Sequence, residues 1–282
     1  MSKILISAFA DEYNRDIDRQ IRMAREANLA YLEPRFINEK NIADLTQEEA
    51  QILKNKLDGI KISSIGSPLG KINLADEFDT HLETAKRVFE TAGILETKNV
   101  RMFSFYLHQG KTRQECRAEV LDKLGQMLNL AEKHGVVLCH ENEANIYGES
   151  PEDCLDILET FEGRMRCVFD MGNFVLEGYK PYPDAYEKLK NYIEYFHIKD
   201  AFAQGAIVPP GCGEGAIEDI LRSFVKEFDR NVIVTLEPHL QTFDGLSSLT
   251  DKTFDTPYVY ESKEIAFIDA LEKLRDITGK IG

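Results

Sequence analysis

Short apolar runs alternate along the chain with longer stretches in which apolar residues recur every three or four positions. The short runs read as strands at 4–9, 31–34, 61–65, 99–103, 136–140, 165–170, 195–198 and 232–237. Between them, Ile17, Ile21, Ala24 and Asn28 repeat at helical spacing, with only the last polar. Leu121, Leu124, Leu128 and Ala131 form a second stripe, and Phe267, Leu271 and Leu274 a third. Each stripe must bury against a partner. Ser150-Pro151-Glu152-Asp153 reads as a capped helix start, and His134-Gly135 as a helix end.

Eight strands alternating with helices predict an α/β fold with a parallel sheet, a (β/α)8 TIM barrel. The 282 residues suit one such barrel of about 250 residues with modest loop extensions. No linker, low-complexity segment or short repeat interrupts the pattern, so residues 1–282 are expected to form a single domain. Two connections, 201–216 and 239–260, are longer than usual. Both follow strands, which puts them over the face where barrels carry their chemistry.

Composition narrows the function. The formal net charge is −15, which disfavours phosphate-rich partners such as nucleic acid and anionic membranes and attracts divalent cations. The five cysteines are scattered without a CxxC, as expected in a reducing compartment. The first apolar stretch is too short for a signal peptide, and no run approaches the ~18 residues of a membrane span. A cytoplasmic protein with a small-molecule partner is expected.

Four predicted strands end in metal-ligand residue types: Glu141, Asp170, His197 and Glu237. Their gaps of 29, 27 and 40 residues each approximate one βα unit. Successive strands would therefore deliver three carboxylates and an imidazole to one mouth of the barrel. Singly, each is also readable as a loop cap or a structural histidine, and spacing alone leaves both readings open. As a set they suit one divalent ion, Mn²⁺ first, with Mg²⁺, Co²⁺ and Zn²⁺ as further fits.

Several segments carry a resemblance: Glu141-Asn142, Phe169-Asp170-Met171-Gly172-Asn173, Phe196-His197-Ile198-Lys199-Asp200, Pro210-Gly211-Cys212-Gly213-Glu214-Gly215 and Leu236-Glu237-Pro238. Phe9-Ala10-Asp11-Glu12, Glu33-Pro34-Arg35 and Ser64-Ile65-Gly66-Ser67-Pro68 add to it. In order and spacing the chain resembles the xylose isomerase-like TIM barrels, the superfamily of sugar phosphate isomerases and epimerases. It includes tagatose 3-epimerase-like enzymes, inosose isomerases and dehydratases, and hydroxypyruvate isomerases. The resemblance implies metal ligation by Glu141, Asp170, His197 and Glu237, with Glu141 and Glu237 also moving protons on opposite faces of a sugar-like substrate. A metal chelated by carbonyl and hydroxyl would stabilise the enediolate left when the α-proton is removed.

The departures matter too. Many relatives carry His three residues after the Asp, where this chain has Asn173. With six histidines in all, a three-zinc DNA-repair site is not expected. Lys199 should share the inward face of His197 and bind a substrate oxygen or pair with an acid. Glu33 could meet a sugar hydroxyl unless Arg35 pairs with it, and His108 and Asn173 are further candidates for lining the pocket. His140 should face away from the metal. The glycine-rich 211–215 loop could bring backbone N–H groups to a phosphate or be a plain turn. The aromatic segment 253–260 could cover the site or join two subunits of a homo-oligomer. The leading expectation is an isomerase or epimerase. The alternatives are a dehydratase on the same scaffold and a non-catalytic sugar-binding barrel.

Overall fold

The computed structural model describes residues 3–242 and 258–281. The eight expected strands are present: β1 (Ile4–Ala8), β2 (Tyr31–Leu32), β3 (Lys61–Ile62), β4 (Asn99–Met102), β5 (Val137–Glu141), β6 (Arg166–Asp170), β7 (Ile193–Ile198) and β8 (Val232–Leu236). Six form one parallel sheet in the order β1-β8-β7-β6-β5-β4. β2 and β3 form a parallel pair. Backbone bonds join the pair to both edges of the sheet. Glu33 donates to the Ala8 carbonyl at 3.0 Å, and Ile65 to Asn99 at 2.9 Å. Arg101 returns a bond to Ile65 at 3.0 Å. β2 and β3 are shorter than the apolar runs predicted, but the ring of eight strands still closes.

The main helices are α1 (Ile17–Glu26), α2 (Gln47–Leu57), α3 (Phe78–Ile94), α4 (Arg113–Lys133), α5 (Pro151–Thr160), α6 (Met171–Leu176), α7 (Tyr186–Leu189), α8 (Ile217–Glu227) and α9 (Lys263–Gly279). Their ends are chemically marked. Thr46 with Glu49 and Thr112 with Glu115 form capping boxes that satisfy N–H groups left open at a helix start. Ser150 caps α5, whose first residue is Pro151. α4 ends at His134, and Gly135 follows at φ +68°. Asn28 does not extend the α1 stripe: it lies beyond the helix at φ +50°.

Strand alternation divides the interior into two cores. Outward residues such as Leu138, Phe169, Phe196 and Val234 join the helices in the large core. Inward residues Cys139, Val168 and Tyr195 form a separate small cluster inside the barrel, flanked by Val137 and Ile233. Cys139, Val168 and Tyr195 lie two residues before Glu141, Asp170 and His197. The apolar plug is therefore the layer beneath the candidate ligands. Among the described residues, no helix is long and apolar enough to cross a membrane.

The segment after β3 runs beside the end of β4. Phe103 donates to the Leu69 carbonyl at 2.7 Å and Phe105 to Gly70 at 2.9 Å. His81, on α3, accepts the Gly70 N–H at Nε2, 2.9 Å away. Burial lowers the His81 pKa to about 4. The folded state thus binds a proton less readily than the unfolded chain, whose histidine titrates near ~6.5. The stability from this group is present above that pH and is lost as pH falls toward 4. The expected loss is about 3 kcal/mol. Urea melts at neutral and acid pH should show it, and His81→Gln should be less acid-sensitive than the unmodified chain.

Candidate metal centre

Glu141, Asp170, His197 and Glu237 are all buried, and their ligand atoms lie within 4.8 Å of one another. The register explains the convergence. Asp170 is paired with His197 across β6 and β7, and His197 with Thr235 across β7 and β8. Glu237 follows two residues after Thr235 and so faces the same way. A bulge between Cys167 and Val168 sets the β6–β7 register that aligns Asp170 with His197.

Each glutamate of the cluster is held by one arginine. Arg101 Nη1 donates to Glu141 Oε2 at 3.1 Å, and Arg35 Nη1 to Glu237 Oε1 at 2.9 Å. Glu141 Oε1 faces His197 Nδ1 at 2.8 Å. Glu237 Oε2 lies 3.2 Å from the same nitrogen, but the ring aligns on Glu141, and Glu237 Oε2 is buried with no hydrogen-bond partner. A buried carboxylate oxygen without a hydrogen bond, with His197 and Lys199 near it only as charges, is stabilised when a cation completes it. That oxygen, within a four-residue donor set, is what a divalent ion fits.

The electrostatics agree. Burial resists ionisation of Glu141, yet His197 and Arg101 lower its pKa to about 2. Burial likewise opposes the charge on Glu237, but Lys199 and His239 hold it well below the ordinary value. Burial raises Asp170 to about 6 despite Lys199 beside it. Burial opposes a charge on His197 too, but Glu141 and Glu33 on its two sides raise its pKa well above the ordinary value.

Lys199 does share the inward face. Its Nζ lies 3.1 Å from Asp170 Oδ2, 3.0 Å from Asn173 Oδ1 and 3.6 Å from Glu237 Oε2. Asn173 also donates through Nδ2 to the Asn142 carbonyl at 2.9 Å. It braces Lys199 against the end of β5. Glu33 is not placed to meet a sugar hydroxyl. It is fully buried, and its oxygens accept from Tyr195, Thr235 and His197. Nor does Arg35 pair with it; Arg35 serves Asp11, Glu12 and Glu237. His108 is held by Glu119 at 2.7 Å rather than by any of the four ligands. His140 faces away, 2.9 Å from Ser104 Oγ.

A second group, Glu12, Glu237 and His239, also gathers ligand atoms. Arg35 already sits among them, 3.1 Å from Glu12 Oε1 and 3.3 Å from His239 Nε2. Its guanidinium supplies the positive charge there, which favours one ion over two. A cavity of about 370 Å³ opens on this side, lined by Glu12, Arg15, Arg35, His239 and Lys263.

The 201–216 connection carries a short hairpin, Asp200–Ala201 with Ile207–Val208. The glycine amides that could have met a phosphate are occupied. Gly211 and Gly213 donate to Asp200 Oδ2 at 2.8 and 2.9 Å, and Gly215 to Oδ1 at 2.9 Å. The chain supplies its own anion to this loop. Of the aromatic segment 253–260, residues 253–257 lie outside the described residues; Val259–Tyr260 pairs with Gln241–Thr242.

Sequence reasoning missed Arg101, Tyr195 and Thr235, and gave Arg35 the wrong partner. Arg101 had a signal: it is the one charge inside the apolar run 99–103. Tyr195 and Thr235 had none, since both are ordinary strand residues.

Comparison with known proteins defines the class. The xylose isomerase-like TIM barrel family matches residues 21–256, and the chain belongs to that family. Among solved structures it resembles the IOLI protein with a bound zinc atom, at 20% identity and TM-score 0.76, covering 99% of each chain. It also resembles a xylose isomerase-like TIM barrel protein from Mycobacterium smegmatis in complex with magnesium, at 17% identity and TM-score 0.71, covering 100% of this chain and 98% of that one. A third is 3-keto-D-glucoside 4-epimerase from E. coli, at 14% identity and TM-score 0.71, covering 98% and 100%. A probable dehydratase shares the fold as well. No match was found among curated proteins.

Proposed function

We propose that this protein is a metal-dependent isomerase or epimerase of a small sugar, keto-polyol or sugar phosphate, and that Glu141 and Glu237 transfer the proton. The observation that carries the reading is the pair itself: two buried, ionised glutamates in one cluster, each with its outer oxygen held by an arginine. A pure binding site has no need of two such proton-transfer groups.

Glu141, Asp170, His197 and Glu237 would hold one divalent ion, Mn²⁺ on the oxygen-rich donor set, with Mg²⁺, Co²⁺ or Zn²⁺ as substitutes. Bound there, the ion would stabilise negative charge developing on a substrate carbonyl oxygen. The remaining work falls to the chain's own groups. Arg101 and Arg35 fix the carboxylate planes, so that each inner oxygen keeps one direction. One glutamate removes the proton beside the carbonyl, and either it or its partner returns one. Lys199, held by Asp170 and Asn173, offers a substrate oxygen a cationic donor. Zinc and magnesium in two structural neighbours, and sugar epimerisation in another, support the reading.

The test is solvent deuterium exchange. Metal-replete protein is incubated in D₂O with ketohexoses, inososes and hydroxypyruvate. Deuterium in recovered or isomerised sugar without loss of water is the expected result. Net loss of water would move the assignment to a dehydratase. Sugar binding without exchange would leave a non-catalytic barrel and sink the proposal.

A further inference from the structure

His197 presents one nitrogen to each side. Nδ1 faces Glu141 and Glu237, at 2.8 and 3.2 Å. Nε2 faces Glu33, 3.4 Å from Oε1 and 3.3 Å from Oε2. We infer that Glu33 is the positioning residue of the metal centre: it accepts the Nε2–H of His197 and so leaves Nδ1 as the ligand atom. The inference rests on the metal reading above and adds a residue and an assigned nitrogen to it.

Glu33 is built to be immobile. Its side chain is fully buried within the barrel. Tyr195 donates its hydroxyl to Oε1 at 2.9 Å, and Thr235 donates to Oε2 at 2.7 Å. Tyr195 is itself fixed by Ser64 Oγ at 2.8 Å. Glu33 thus receives donors from β7 and β8, the strands that carry His197 and lead to Glu237. A carboxylate in this place does two things. It selects the tautomer with the proton on Nε2, which leaves the Nδ1 lone pair toward the cluster. It also makes the imidazole a more basic ligand and stops the ring from turning. Phe9 packs edge-on against the same ring with centroids 5.0 Å apart, which restricts rotation but offers no acceptor. Among the described residues, Glu33 is the carboxylate that faces Nε2, on the side away from the other ligands, and it is fully buried there.

The experiment is metal affinity, measured by competition with a chromophoric chelator, together with the visible absorption of the Co²⁺-loaded protein. Glu33→Gln keeps the shape but removes the charge. It is expected to weaken metal binding about 10- to 100-fold and to shift the Co²⁺ bands. Thr235→Val and Tyr195→Phe each release one oxygen of Glu33, and Tyr195→Phe keeps the ring that packs edge-on against His197. Each is expected to weaken binding by less, and these two decide the matter if Glu33→Gln does not fold. Glu33→Gln protein with a lowered Tm but unchanged affinity and Co²⁺ spectrum would show a structural role only and overturn the inference. Unmodified protein that binds no ion would remove the metal centre as a whole. Unmodified protein that binds one, beside variants that bind it equally well, overturns this inference alone.

Discussion

Glu237→Gln is expected to lower kcat/KM by about a thousand-fold, with the fold retained. Two effects act together. A positioned carboxylate in proton transfer contributes about 10²- to 10⁴-fold. The same substitution also replaces an anionic ligand by a neutral one, so the charge that would balance the metal falls. The structure explains why the fold should survive. Arg35 binds Oε1, and a glutamine carbonyl can still accept that bond. Oε2 has no hydrogen bond to lose, and Lys199, 3.6 Å away, keeps Asp170 and Asn173 as partners. Arg35 keeps Asp11 and Glu12, so its charge is not stranded. The rate of deuterium exchange into an identified substrate is the measurement. His108→Ala serves as the comparison, because His108 is held by Glu119 and should leave turnover unchanged. If Glu237→Gln and Glu141→Gln both kept full exchange, the assignment of the pair would fail.

The four clustered residues were legible in the sequence because strand ends in a parallel barrel repeat at intervals of one βα unit, and because polar residues that close apolar runs are conspicuous. Inward facing followed from period-two alternation, which put Lys199 on the face of His197 and turned His140 away. What alternation does not give is which side chains meet across the ring. Arg101 comes from β4 and reaches Glu141 on the adjacent β5, and Arg35 follows β2 and reaches Glu237 after β8. Glu33 follows β2 and meets His197 on β7. The last two are contacts between residues more than 160 positions apart, set by barrel closure rather than by local pattern. The phosphate alternative for 211–215 failed for a related reason. A glycine-rich loop shows that amides are available, but not that Asp200 already fills them.

Gly70→Ala is expected to be a strongly damaging single-methyl change. A Cβ there would lie 1.9 Å from the Phe103 carbonyl oxygen and 2.5 Å from its carbon. Both belong to backbone, so no flexible side chain can move aside. Gly70 also has φ +83°, which costs a non-glycine residue about 1–2 kcal/mol. Strain and collision can be separated by a second variant. Gly110 has φ +77° and nothing within 4 Å of the place its methyl would take, so Gly110→Ala carries the strain alone. Gly110→Ala should therefore lose about 1 kcal/mol, and Gly70→Ala about 3 kcal/mol or more, in urea unfolding. The collision has a consequence for the site. Phe103 lies two residues after Arg101, whose guanidinium contacts the Gly66 and Ser67 carbonyls as well as Glu141. Separating the 66–70 segment from β4 to make room for a methyl loosens the arginine that holds Glu141. Gly70→Ala should then weaken metal binding as well as stability, whereas Gly110→Ala should leave metal binding unchanged. Equal losses of stability in the two variants would mean that the segment yields to the methyl, and that Arg101 does not depend on that close approach.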